Sequence, residues 1–445
     1  MTSFRSLLLA GGLFSILSGC ATTSVPAPFP TSFADGAVTF LGAAVVPGGS
    51  KAAADLSGLP HVLLEDGKSF QDSFDGFGSG FAFTGQGTRY FALADRGPNK
   101  VQYKDGEKVD FTTSYANRYQ RVDVAVTKKD GTWAVTASLE GTTLLLDQAG
   151  TPFEGLSTAF TGIDPAQNRR FDPEGLRVAP DGTVWVSDEY GPVIRHFDQS
   201  GKTLGSLKIP KNLLLSKLAP TLPEEMDPSA NTSGRYTNKG AEGLALTPDG
   251  KTLVVVMQNA LIQDGGPKGL TSRFLVYDLT APEKAPRQLE YIVDSTKFGL
   301  SEIVAVNNHQ FLVDERDGVP GPQGNKRLYF IDLAQETPPT DVSSWEKLPG
   351  DGKAEGLVPL RKVLFADIGA LLNTAQPFVT PAGLPDKIEG YAFGPDLPDG
   401  RHLLLATNDN DYAETFPNYI FAFAVDPQAL AGFVPVRLNP GVVIR

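Results

Sequence analysis

The stretch DPEGLRVAPDGTVWVSDEYG, residues 172–191, carries acids at both ends of what otherwise reads as two β-strands joined by an Asp-Gly turn. Glu174 opens the first strand, and Asp188 with Glu189 closes the second. A hairpin returns its second strand to the level where the first began, so these carboxylates are expected to be neighbours. The scheme recurs in GAEGLALTPDGKTLVVVMQN (240–259) and KIEGYAFGPDLPDGRHLLLATNDND (387–411). Glu242 then falls beside Gln258 and Asn259, and Glu389 beside Asn408 and Asp409. Weaker copies are LSEIVAVNNHQFLVDERDG (300–318), with Glu302, Asp314 and Glu315, and GSGFAFTGQGTRYFALADRG (78–97). In the last, Gly80 holds the Glu position near Asp95 and Arg96.

Carboxylates gathered within a few Å raise one another's pKa unless positive charge lies between them. A set of Glu, Asp, Asn and Gln oxygens without His or Cys suits calcium, which takes about six to eight oxygens in loose geometry. The expected metal ligands are Glu174, Glu242, Glu302 and Glu389, helped by Asp188, Asp314, Asn408 and Asp409. The competing role for the same glutamates is anchoring strands through backbone N–H groups. Arg96, Arg316, Lys100 and Lys239 lie near the same tips and are expected to hold the substrate, with salt bridges to neighbouring acids as their alternative. Asp95, Glu189 and Glu315 all fit a water-activating base. His61, His196, His309 and His402 show no ligand spacing, which argues against zinc. The chain has no G-x-S-x-G elbow, no Arg-His-Gly motif and one cysteine, so serine, histidine-phosphatase and thiol chemistries find no support. GFGSGF (76–81) lacks the Lys-Ser/Thr ending of a phosphate loop and reads as tight strand entry.

These side chains need a scaffold of hairpins. Short apolar runs such as VTFLGAAVV, TVWVSD, TLVVVM, RLYFIDL and YIFAFAV are bounded by Gly, Pro, Asp and Asn. Helix candidates are NLLLSKLAP (212–220) and VLFADIGALLN (363–373), both read as insertions. Repeated hairpins in a long chain predict an all-β fold, a β-propeller, whose blades bury their faces against one another. Repeat starts at 80, 174, 242, 302 and 389, with a further one in AEGLVPL (354–360), favour six blades and leave five or seven open. AVTFLGAAVVP (37–47) is expected beside NYIFAFAV (418–425), closing the ring. A two-sheet sandwich is the alternative, and it leaves the recurring Glu-Gly unexplained. A net charge of −12 repels nucleic acid and anionic headgroups; the expected partner is a small molecule and the expected state a monomer.

Residues 1–19 have the layout of a targeting segment: one positive charge at Arg5, an apolar run too short to span a membrane, then LSGC. LSGC resembles the lipobox of bacterial lipoproteins, which implies cleavage before Cys20 and lipidation of its sulfur. Ala21 stands where an Asp would mark inner-membrane retention, which implies the outer membrane, facing the periplasm. Residues 20–36, rich in Pro, Ser, Thr and Ala, suit a flexible tether, leaving 37–445 as one domain. RRFDPEGLRVAPDGTVWVSDEYGP (169–192), GAEGLALTPDGKTLVV (240–255) and DKIEGYAFGPDLPDGRHLLLATNDND (386–411) resemble the phytase-like family of esterase-like relatives of phytase, over most of residues 75–425. The resemblance implies a β-propeller, divalent-metal dependence and hydrolysis of a phosphate or other ester. The DDPAIW-like and NNVD-like motifs of well-studied propeller phytases do not occur, which points away from phytate. The alternative functions are a calcium lactonase similar to gluconolactonase and a non-enzymatic envelope propeller that binds glycan or protein.

Overall fold

Leu253, Val254, Val255, Val256 and Met257 are apolar on both faces of their strand and fully buried, because each side is covered by a neighbouring sheet. In the computed structural model, which describes residues 29–444 apart from 105–106, 163, 226, 228 and 376–382, such runs build five four-stranded antiparallel blades. Blade 1 comprises Gly80–Phe83, Arg89–Leu93, Arg118–Lys129 and Thr132–Leu144. Blade 2 comprises Pro173–Val178, Val184–Asp188, Val193–Phe197 and Thr203–Ser206. Blade 3 comprises Ala241–Leu246, Thr252–Met257, Thr271–Asp278 and Arg287–Ile292. Blade 4 comprises Gly299–Ala305, Gln310–Arg316, Lys326–Asp332 and Lys362–Asp367. Blade 5 takes Ile388–Phe393, His402–Asn408 and Asn418–Val425 late in the chain and its outer strand, Val38–Val46, from the start. The first-named strand of each blade faces the axis, and these inner strands pack in sequence around a closed ring.

Five blades are found among the counts left open, because AEGLVPL (354–360) forms no strand and lies in the loop before the outer strand of blade 4. The ring closes as expected, with Val38 opposite Val425 and Val46 opposite Asn418. Neither helix candidate survives whole. Residues 212–220 hold only the end of a single 3-10 turn, Lys211–Leu213. Residues 363–373 divide at Asp367: the first part pairs with Lys326–Asp332, and Asp367 then caps a short helix, Ile368–Thr374, by accepting the Ala370 N–H at 2.8 Å. The expected tether also ends early, since Phe29 and Phe33 pack on Phe330 at 5.7 and 5.5 Å. Cys20 lies outside the described residues. No helix among the described residues is long and apolar enough to cross a membrane.

The Glu-Gly pairs have a structural cause. The register of the inner strand slips at Glu174, Glu242, Glu302 and Glu389, while blade 1, which has Gly80 there, pairs without a slip. A bulge bends its strand and re-aims the side chain at the extra residue, here toward the axis. The glycine that follows serves close approach between blades. A Cβ on Gly175 would lie 2.9 Å from the Leu244 nitrogen, and one on Gly243 2.5 Å from the Glu302 Cα.

The axis is closed below the glutamates. Arg177 donates to the Phe81 and Ile303 carbonyls at 3.1 and 2.8 Å and pairs with Glu302 at 2.9 Å, tying blades 1, 2 and 4 together. The C-terminal tail crosses the far face, where the N–H groups of Val434, Asn439 and Ile444 bond to Val306, Pro180 and Gln86 in the turns of blades 4, 2 and 1. Its Val436 lines the lower end of the channel. Removing one partner of a buried ion pair leaves an uncompensated charge and costs about 3–5 kcal/mol. Arg177→Met is therefore expected to lower unfolding stability by about that amount, and adding Glu302→Gln to recover part of it, as read by urea denaturation.

Candidate functional site

Above Arg177 the channel opens into a cavity of about 400 Å³ at the end where the inner strands begin. Hairpin ends and loops from all five blades supply its walls, among them Asp95 and Arg96 after the second strand of blade 1 and Lys239 from the connection between blades 2 and 3. Three carboxylate groups lie in or beside it, each able to place its oxygens within 4.8 Å of one another: Glu174, Glu189 and Glu242; Asp95, Asp172 and Glu174; Asp95, Asp409 and Asp411.

Two of these groups already hold a side-chain cation. Arg96 pairs with Asp172 through its guanidinium and donates its backbone N–H to the same carboxylate at 3.1 Å. Lys387 pairs with Asp409 at 3.0 Å and with Asp411. The Glu174, Glu189 and Glu242 group differs. Gln258 donates to Glu242 Oε1, but Glu242 Oε2 and Glu189 Oε1 are buried without a partner. Buried oxygens are satisfied in nearly all proteins, so bare ones on a cavity wall mark a place where a cation or water can bind. An all-oxygen carboxylate set of this kind fits a hard divalent cation, calcium above all.

Burial, reinforced by Glu242, raises the Glu174 carboxyl well above the ordinary range. Burial with Glu189 does the same to Glu242. Glu189 is pushed to about 7 by burial and Asp172, with Lys239 and Arg96 opposing. Asp95 also reaches about 7 through burial, partly offset by Arg96.

The structure brings together Glu174, Glu242, Glu389, Asp409, Asp95, Glu189, Arg96, Arg316 and Lys239 on the cavity wall. Glu389, however, is held by Arg316, which also donates to the Ser301 hydroxyl at 2.8 Å. Other expected residues face elsewhere. Glu302 is engaged by Arg177 beneath the floor. Asp188 accepts the N–H groups of Asp172 and Tyr190 at 3.1 and 3.0 Å, and Asn408 accepts that of Tyr419 at 2.6 Å, so both brace their own blades. Asp314 is buried off the cavity, beside Arg316 and the Tyr391 hydroxyl. Glu315 binds the Asp294 N–H at 2.6 Å, the Tyr291 hydroxyl at 3.0 Å and Lys362 at 2.5 Å. Its strand runs on to Arg316, and strand alternation sends Arg316 to the cavity and Glu315 away from it. The side chain of Lys100 lies outside the described residues. None of the four histidines lines the cavity; His196, for example, stacks on Trp185 at 4.0 Å.

Asp172, Lys387 and Asp411 were not singled out from the sequence. Asp172 and Lys387 each stand two residues before a bulged glutamate, and a two-residue step along an extended chain returns to the same face. That spacing was the available signal.

The phytase-like family, described as the esterase-like activity of phytase, matches residues 72–412, and the chain belongs to it. A protein of Arthroderma benhamiae described as an uncharacterized secreted protein is 27% identical, over 77% of this chain and 84% of its own. Among solved structures, a gluconolactonase from Xanthomonas campestris shares 12% identity over 85% of this chain and 97% of that one, with a TM-score of 0.31. A calcium-binding protein, regucalcin, from Agrobacterium tumefaciens shares 14% over 89% and 99%, with a TM-score of 0.32. Both are likenesses of fold alone.

The raised carboxyls have a stability consequence. Asp95 and Glu189 move from 3.8 and 4.5 to about 7 on folding, so between those values the folded chain binds more protons than the unfolded one. Their contribution is complete below about pH 4 and is lost as pH rises through about 7. With chelator present, the melting temperature is expected to be higher at pH 5 than at pH 8, and Glu189→Gln to flatten the difference.

Proposed function

We propose that this protein is a calcium-dependent hydrolase of phosphate or other esters, working in the cell envelope. The observation that carries the reading is the pair of unpartnered buried oxygens on Glu189 and Glu242, set with Glu174 at a cavity ringed by cationic side chains. Membership of a family described as esterase-like supports the reaction class. Calcium held by Glu174, Glu189 and Glu242 would supply Lewis acidity toward the ester and toward water.

The chain's own groups divide the remaining work. Glu315 is turned away and Glu189 belongs to the cation-binding group, which leaves Asp95 as the base. Its value of about 7 suits proton transfer near neutral pH, and its Oδ1 is oriented by the Gly97 N–H at 2.8 Å. Lys239 and Lys297 line the cavity without a carboxylate ion pair among the described residues, so they are the cations available to an anionic substrate. Arg96 and Arg316 already hold Asp172 and Glu389. That engagement favours a second reading, in which the substrate is a neutral ester or a lactone.

Chelation is expected to abolish hydrolysis and calcium to restore it, with Glu242→Gln unresponsive to calcium. Asp95→Asn is expected to lower kcat by about 10²–10⁴-fold while calcium still stabilises the fold. Lys239→Met separates the two substrate classes: a raised KM for an aryl phosphate alone supports the phosphate ester, and unchanged kinetics with lactone turnover supports the second reading. Attachment through Cys20 is tested by Cys20→Ser, which should move the protein from the membrane fraction to the soluble one.

A further inference from the structure

We infer that the cavity takes one exchangeable divalent cation, at Glu174, Glu189 and Glu242, and that Lys387 is a built-in cation that keeps a second carboxylate site closed to metal. This rests on the cation-binding part of the proposed function. The second site is Asp95, Asp409 and Asp411, and by position alone it is as competent as the first, since both bring three carboxylate oxygens within 4.8 Å.

The two groups differ in what already satisfies them. The Lys387 ammonium pairs with Asp409 Oδ2 at 3.0 Å and with Asp411, while Asp409 Oδ1 accepts the Asp411 N–H at 2.8 Å. Asp95 accepts the Gly97 N–H, and no oxygen of the three is left buried and unpartnered. In the first group Arg96 reaches only Glu189 Oε2, at 3.6 Å, no ammonium or guanidinium bridges the three carboxylates, and Glu189 Oε1 and Glu242 Oε2 remain bare. Lys239 is felt there only at longer range, through its charge. A divalent ion entering the second group would have to displace an ammonium tethered to the inner strand of blade 5, one residue before Ile388. Like charges at such separations repel strongly in a dry site, so the ion and the ammonium exclude each other. Arg96 fills the third group, Asp95, Asp172 and Glu174, in the same way.

The consequence is a site whose second positive charge does not depend on the surrounding calcium concentration and is not removed by chelators. Calcium response should follow single-site binding, with a Hill coefficient near one.

The experiment counts calcium ions on the folded full-length domain by native mass spectrometry and equilibrium dialysis, in wild type, Lys387→Ala and Asp411→Asn, with circular dichroism confirming the fold. One ion in wild type, two in Lys387→Ala and one in Asp411→Asn are expected. Two ions in wild type, or one in both wild type and Lys387→Ala, overturns the inference and leaves the hydrolase reading standing. No ion in wild type removes both. Should Lys387→Ala fail to fold, Lys387→Gln, which keeps a hydrogen-bond donor without the charge, decides: two ions support the inference and one overturns it.

Discussion

Negative charge brought to a dry axis must be balanced there, and the upper half of this propeller is organised around that requirement. Bulges in four inner strands deliver four glutamates inward, and the neighbouring strand ends add aspartates. Each cluster finds its counter-charge in a different way. Arg177 crosses the channel to Glu302, Arg316 reaches Glu389 of the next blade, Arg96 meets Asp172, and Lys387 sits between Asp409 and Asp411. Of the three carboxylate groups at the cavity, among the described residues, only that of Glu174, Glu189 and Glu242 keeps buried oxygens without a partner.

The same bulges explain why glutamate and glycine travel together. Slipping the register turns the glutamate inward and pulls the next residue against the adjacent inner strand, where Gly175 and Gly243 have no room for a Cβ. Chemistry and packing are thus coupled at one dipeptide. Blade 1 lacks the glutamate and the slip together, and its contribution to the cavity comes from Asp95 and Arg96 at the end of the next strand instead.

Much of this was legible in the sequence because hairpin returns are short-range events. The Pro-Asp-Gly turns located the strand pairs, the recurring Glu-Gly located their upper ends, and the apolar run at 37–47 identified the closing strand. What failed depended on details that local pattern does not carry. AEGLVPL imitates a blade start without a partner strand, which left the blade count open. Glu315 was misassigned because its strand runs one residue further than the turn signal suggests, and one residue reverses the face. Glu302 and Asp314 share the repeat position of true cavity residues but meet Arg177 and Arg316, whose reach across the channel is a tertiary fact.

The closed lower channel has a kinetic side. Arg177 bars the middle, and the tail, with Val436 at its centre, covers the bottom. Among the described residues the cavity is left without a lower exit, so under the proposed reading a product would retreat along the path by which its precursor came, past Lys239 and Lys297 on the wall. A product that kept a negative charge would leave against those two cations and compete with incoming substrate for the same entrance, whereas a neutral product would drain freely. A one-ended funnel lined by two ammonium groups would thus couple the charge of what is made to the rate at which the site is cleared.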